Sequence, residues 1–169
     1  MDIQWPTVRK SLPKLLTQIG YKVGIELGVR RGAFSIRLLK KSNLDKLYSV
    51  DSWPGKDGHD ITQYFTAIKA LNRFGSRSIV LRMTFLDAFT LFEDAFFDFI
   101  HIDGCAHLGE KETINMWWAK LRVGGLYTGH DYNYNRQTKI DVDEFVEKHN
   151  LDLHLTTEHF KTWMVFKEK

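Results

Sequence analysis

Cysteine, proline and long apolar runs are scarce in this chain. One cysteine, Cys105, and three prolines occur in 169 residues. A lone thiol excludes an intramolecular disulfide framework, and without a C-x-x-C pair no structural zinc site is expected. No apolar run reaches the roughly 18 residues needed to cross a bilayer. The opening MDIQWPTVRKSLPKLL lacks the uninterrupted apolar stretch of a secretory leader. No Gly/Ser-rich linker or internal repeat divides the chain. A dominant charge is missing too: 24 Lys and Arg stand against 21 Asp and Glu, net +3, with no basic run of the kind a dedicated nucleic-acid binder carries. We therefore expect one domain over 1–169, soluble and cytoplasmic, with neither membrane nor nucleic acid as partner. The hydrophobic share of 43% is ample for a core and excludes a disordered chain.

Short apolar runs alternate with longer helical patterns, the sign of βαβ units around a parallel sheet. Leu12, Leu15, Leu16 and Ile19 predict a helix over 7–19 stopped by Gly20, with Pro13 delaying its first turn. Strands are expected at 22–27, 46–50, 78–81, 96–102 and 126–128. Helices are expected at 33–41, 60–71, 86–92, 110–121 and 142–149, with Gly124-Gly125 breaking the fifth from its strand. Ile61, Tyr64, Phe65, Ile68 and Leu71 form the apolar stripe of the third helix. Leu151, Leu153 and Leu155 alternate strictly, so 151–156 and 162–166 read as two closing strands. The fold class is α/β, a doubly wound sandwich with helices on both faces and a strand hairpin at its C-terminal edge.

Ligands of open α/β sheets bind beyond the carboxyl ends of the strands, where strand order reverses. The polar residues expected there are Glu26, Asp51, Asp103 and His130-Asp131. Carboxylates seldom border a core without a partner, so four on one rim imply a ligand. The first turn, Glu26-Leu27-Gly28-Val29-Arg30-Arg31-Gly32, reads E-x-G-x-x-x-G and not the G-x-G-x-x-G of nicotinamide enzymes. A carboxylate at that strand end suits a cationic amine, and Asp51 could accept both hydroxyls of a ribose. An amine-binding acid, a ribose-binding acid and a glycine turn describe a nucleoside amino acid such as S-adenosylmethionine. The plainer reading is a tight βα turn with Asp51 capping a helix.

Glu26–Gly32, Asp51-Ser52-Trp53, the FFDFIHIDG segment (96–104) and GGLYTGHDY (124–132) resemble a class I S-adenosylmethionine-dependent methyltransferase. More narrowly they are similar to a small methyltransferase-domain family whose members often read VDxWxG after the second strand and GGxLxGHDY at the fifth. The resemblance runs from about Gly20 to the C-terminus. It implies a Rossmann-like seven-stranded sheet with an antiparallel C-terminal strand. It also implies S-adenosyl-L-methionine held by Glu26, Gly28 and Gly32 at the methionine end, and by Asp51, Ser52 and Trp53 around ribose and adenine. Thr84 is expected near adenine, and Asp103 borders cofactor and reacting end alike.

In the related catechol-type O-methyltransferases, a strand-four Asp and an Asp-Asn pair after strand five hold magnesium. The resemblance places Asp103, His130 and Asp131 at those positions, a candidate site for magnesium or manganese. A histidine in the set departs from the all-oxygen ligands magnesium prefers. The alternative is that Asp103 and Asp131 orient loops and substrate without a metal. His107, in the loop after Asp103, is the expected general base, because an imidazole titrates near neutrality; as a plain helix-entry histidine it would do nothing. His101, mid-strand among apolar neighbours, reads as a core histidine, and Cys105 as small filler. Trp117-Trp118, Phe96, Phe97 and Phe99 read as core, and the loop 53–60 as a lid or surface loop. Arg30, Arg31 and the segment 133–139 could meet the acceptor.

The expected activity is methyl transfer to oxygen of a small molecule, a sugar or phenolic metabolite, with homo-oligomer formation left open. A non-catalytic adenosyl-ligand binder on the same fold is the rival. An NAD-dependent oxidoreductase is disfavoured by the glycine spacing and by the absence of a Tyr-x-x-x-Lys pair. Nucleic-acid N-methylation is disfavoured because no Asp/Asn-Pro-Pro-aromatic motif occurs.

Overall fold

The structure, a computed structural model, describes residues 3–54, 60–104, 109–134 and 136–168. Seven strands, β1 (Val23–Leu27), β2 (Lys46–Asp51), β3 (Ser78–Arg82), β4 (Phe97–Ile102), β5 (Leu121–Gly129), β6 (His154–Leu155) and β7 (Trp163–Phe166), form one sheet in the order β3-β2-β1-β4-β5-β7-β6. β1 to β5 run parallel, and β7 lies antiparallel to both β5 and β6. The class I methyltransferase sheet expected from the sequence is present, antiparallel strand included. Strand order reverses between β1 and β4, so Leu27 and Ile102 deliver the chain to the two sides of one crevice.

Among the described residues six helices cover the sheet: α1 (Leu12–Ile19), α2 (Ala33–Lys41), α3 (Ile61–Leu71), α4 (Phe85–Phe89), α5 (Glu110–Trp117) and α6 (Arg136–His149). Leu15 and Leu16 of α1, Leu38 of α2 and Ala67 and Leu71 of α3 pack with Leu47, Phe99, Leu126 and Met164 on one face. Phe85, Ile114, Trp117, Val142 and Phe145 pack with Ile25, Leu27, Val50, Ile100 and Ile102 on the other. Strand periodicity explains the division, because alternate side chains point to opposite faces. Each fully buried Leu contributes about 2 kcal/mol of transfer free energy.

The chain departs from the sequence reading at several boundaries. Helix α1 starts at Leu12, after a 3₁₀ turn over Arg9–Ser11, because Pro13 suits only the first helical positions. Helix α5 stops at Trp117, and Gly124-Gly125 lies inside β5 instead of breaking a helix from it. There the ladder shifts register between Phe97 and Phe99, Gly124 takes φ +74°, and a Cβ on Gly125 would lie 2.7 Å from Leu121. Helix α6 begins at Arg136 and β6 spans two residues, so polar positions carry helix where apolar periodicity was faint, and alternation outran pairing.

The α3 stripe is also shifted: Gln63, Ala67 and Leu71 are buried, whereas Ile61 and Phe65 are exposed. The small Ala67 lets α3 approach Gly32 of the first turn, which a larger neighbour would prevent. Phe96 precedes β4 and is exposed, packing edge-on against Tyr48 and Phe97 at the surface.

Candidate active site

The β1 end is locked before any ligand is considered. Gly28 N–H donates to the Val50 carbonyl (2.9 Å), and Asp103 N–H donates to the Leu27 carbonyl (2.7 Å). Gly28 takes φ +94°, and a Cβ there would stand 2.3 Å from the Asp103 carbonyl oxygen. Only glycine satisfies both demands. Gly32, at φ +81°, closes the turn and starts α2.

Asp51 sits beneath this turn, 1% exposed. Its Oδ2 accepts the backbone N–H groups of Val29 (3.0 Å) and Arg30 (2.9 Å), and its Oδ1 accepts that of Trp53 (3.0 Å). Trp53, buried and at φ +43°, returns a hydrogen bond from Nε1 to the Arg30 carbonyl (2.7 Å). A carboxyl group taking several N–H groups replaces the hydration lost on burial. Ser52 is partly buried between them. Thr84 caps α4, accepting the Asp87 N–H (3.1 Å) and donating to the Asp87 carboxylate.

Across the sheet, register places Ser49, Glu26, His101 and Thr128 side by side on the α2 face. Ser49 donates to Ser35 Oγ (3.0 Å), and Ser35 donates to Glu26 Oε2. Glu26 is 1% exposed, and burial pushes its carboxyl up to about 8 against the pull of Ser35 and Arg9. Thr128 Oγ1 donates to the Ile100 carbonyl (3.1 Å), so it accepts from His101 Nδ1 at 2.7 Å. His101 is accordingly a neutral imidazole whose buried Nε2 has no hydrogen-bond partner among the described residues; burial holds its pKa well below the usual value.

Above this polar row lies a cavity of about 580 Å³, lined among others by Arg9, Glu26, Gly28, Phe34, Asp103 and His130. Asp131, Tyr134, Phe160, Arg30 and Arg31 complete its rim. The volume is of the order that cofactor and ligand sites use. Gly32, Asp51, Ser52, Trp53 and Thr84 do not line it; of the residues named from sequence, it gathers Glu26, Gly28, Arg30, Arg31, Asp103, His130, Asp131 and Tyr134. A smaller hollow of about 200 Å³ adjoins it, sharing Asp103, His130, Asp131 and Tyr134 and adding Glu110 and Thr138. Thr138 Oγ1 donates to Glu110 (2.7 Å), and burial raises the Glu110 pKa. His107 and Cys105, and residues 55–59 of the loop after Trp53, lie outside the described residues.

Arg9, Phe34, Phe160 and Glu110 are cavity residues that sequence reasoning missed. Arg9 reaches the site from the 3₁₀ turn, pairing with Asp103 while its guanidinium lies 4.1 Å from the Phe34 ring centroid. Tyr134 and Phe160, both exposed, meet at 5.8 Å between ring centroids. Tyr134 lay within the segment expected to meet the acceptor. No periodicity marks Arg9; only folding brings it beside Asp103.

Comparison with known proteins now decides the class. The sequence profile of a family described as a methyltransferase domain matches residues 25–132. The chain belongs to this methyltransferase family. No curated protein sequence matches it. Solved structures share the fold at low identity. A Staphylococcus aureus protein provisionally assigned as a caffeoyl-CoA O-methyltransferase superposes with TM-score 0.76 at 14% identity, covering 98% of this chain and 85% of that one. An O-methyltransferase from Bacillus cereus, solved with S-adenosylhomocysteine, gives 0.69 at 17%, covering 97% and 82%. A precorrin-8w decarboxylase from Methanobacterium thermoautotrophicum gives 0.69 at 16%, covering 99% and 94%. The matched span of the methyltransferase family begins in β1 and ends just past Asp131, so it encloses most of the rim.

Asp103, His130 and Asp131 of this methyltransferase bring one donor atom each within 4.8 Å of one another, spacing that would suit an ion. The donors are already engaged. His130 Nδ1 lies 2.8 Å from Asp131 Oδ1 and 3.6 Å from Asp103 Oδ1, and the short contact is attractive only with a proton on that nitrogen. A metal would need its lone pair instead. Asp103 Oδ2 is held by Arg9. As placed, the three residues do not fit a divalent ion.

Proposed function

We propose that this methyltransferase binds S-adenosylmethionine in the β1–β4 crevice and methylates an oxygen of a small hydroxylated molecule. The observation that carries this is the convergence of Glu26, Gly28 and Asp103 on one cavity at the strand-order reversal, in a chain of the methyltransferase family. Glu26 takes the cofactor's ammonium. Gly28 lets the chain pass close to the methionine end, and Gly32 closes the turn. Asp51 and Trp53 hold the turn, with Ser52 beside them, and the Asp51 carboxylate, whose oxygens can each accept more than one hydrogen bond, is the proposed ribose contact. Thr84 shapes the adenine side through α4. The rings of Tyr134 and Phe160 favour a phenolic acceptor over a sugar, and Arg30 and Arg31 on the rim favour one bearing an anionic group.

In the transfer step an acceptor oxygen lone pair attacks the methyl carbon in line. The carbon–sulfur bond breaks with its electron pair left on sulfur, and the hydroxyl proton passes to His107, the proposed general base. Asp131, oriented by His130, holds the acceptor hydroxyl. No step is assigned to a metal. No helix among the described residues is long and apolar enough to cross a membrane, and we infer that the chain acts in the cytoplasm as one domain on a diffusible acceptor.

The test is transfer of a labelled methyl group from S-adenosylmethionine to a panel of phenols, phenolic acids and sugars. Turnover on a phenolic acid, lost in His107→Ala with cofactor affinity kept, is expected. Cofactor binding without transfer to any member would replace this reading with a binding protein.

A further inference from the structure

We propose that Arg9 is the resident cation of this site, standing where a divalent metal would otherwise neutralise Asp103. The inference rests on reading the cavity as a methyl-transfer site, but its central test does not need turnover. Two features fix Arg9 there. Its guanidinium pairs with Asp103 and lies 4.1 Å from the Phe34 ring centroid, so one cation serves a carboxylate and an aromatic face together. Its own backbone is tied down as well: Arg9 N–H donates to Glu158 Oε1 (2.7 Å), and Thr157 donates through N–H and Oγ1 to the Thr7 carbonyl (2.8 and 3.1 Å). The segment that carries Arg9 is thus fastened to the loop before β7.

The Arg9 side chain is 18% exposed, and its Nε–H is buried without a hydrogen-bond partner among the described residues. An orphaned donor is costly, so the cation is held in the cavity with hydrogen-bonding capacity unspent. A dication seated on Asp103, His130 and Asp131 would have to compete with Arg9 for the Asp103 carboxylate. A guanidinium cannot shed its charge to make room. Arg9 is therefore a positioning residue: it holds Asp103 at the crevice and supplies fixed positive charge beside the acceptor space.

Spectroscopic titration with Mn²⁺ tests this on the whole chain, with and without S-adenosylhomocysteine. The wild type is expected to bind no Mn²⁺ stoichiometrically up to about 1 mM, the weak end of protein cation sites. Arg9→Met, which keeps the stem packed on Phe34, is expected to gain a site of at least about tenfold higher affinity, a change of ~1.4 kcal/mol. That site should vanish again in Arg9→Met/Asp103→Asn, and Arg9→Lys should stay as metal-free as the wild type. A merely structural arginine would not create a metal site on removal. Stoichiometric Mn²⁺ binding by the wild type that Asp103→Asn abolishes would overturn the proposal, as would a folded Arg9→Met protein with no gained affinity. If Arg9→Met fails to fold, Arg9→Gln, which keeps a polar head without the charge, replaces it, with the same gain expected and the same lack of gain overturning the proposal. Failure of the wild type to bind S-adenosylhomocysteine would instead overturn the cofactor reading and leave the Mn²⁺ result standing.

Discussion

The two sides of the crevice solve the problem of a buried acid differently. On the β1–β2 side the carboxylates are nearly sealed. Asp51 is committed to the backbone of the glycine turn, and Glu26 is held by Ser35 and raised toward neutrality. On the β4–β5 side, the Asp103 and Asp131 side chains are 25% and 45% exposed and are met by other side chains, Arg9 and His130. Backbone donors cannot swing away, whereas side-chain partners can. On the proposed function, the first side grips the part of the ligand that never changes, and the second rearranges around the acceptor.

Gly28→Ala should break this arrangement most severely. The added Cβ meets the Asp103 carbonyl at 2.3 Å in a left-handed conformation, and a clash with backbone on a strained turn should cost about 3 kcal/mol or more in urea unfolding. A loss below about 1 kcal/mol would show that β1 and β4 are not locked at this point.

Next in size is the contrast between the two sides themselves. Asp51→Ala leaves three backbone N–H groups without their acceptor and should cost about 2–3 kcal/mol, with weaker S-adenosylhomocysteine binding although Asp51 lies outside the cavity lining. Asp131→Asn, at a half-buried contact with the His130 ring that an amide oxygen can still accept and with a residue that tolerates φ +59°, should change stability by less than about 0.5 kcal/mol. Its effect should appear in methyl transfer alone. Equal destabilisation by the two substitutions would erase the distinction.

The β1–β2 side was legible in the sequence because its signals are local: a glycine turn, an acid at each strand end and apolar runs between them. The family's order of motifs carried the sheet topology as well. What Asp51 does was less legible, since ribose binding and turn bracing place the same residue at the same point. The β4–β5 side was half legible. Asp103, His130 and Asp131 were found from strand ends, but Arg9 and Phe160 arrive from the two chain termini, and no periodicity links positions that far apart. The α3 stripe misled because helical spacing alone ignores that Ala67 must face Gly32.

The claim on which the account turns is that Glu26 receives the cofactor's cationic amine. Raised to about 8, its carboxyl is neutral in the free protein at pH 7, and an ammonium beside it favours the ionised form. Binding should therefore release up to one proton at pH 7, and affinity should climb as pH rises toward about 8 and level off above it. Calorimetry with S-adenosylhomocysteine in buffers of differing ionisation enthalpy measures both quantities. The account predicts proton release by the wild type and, in Glu26→Gln, none, with affinity at least about tenfold weaker at pH 8. No binding at millimolar ligand, or binding that Glu26→Gln leaves unchanged in both affinity and protons released, would contradict it.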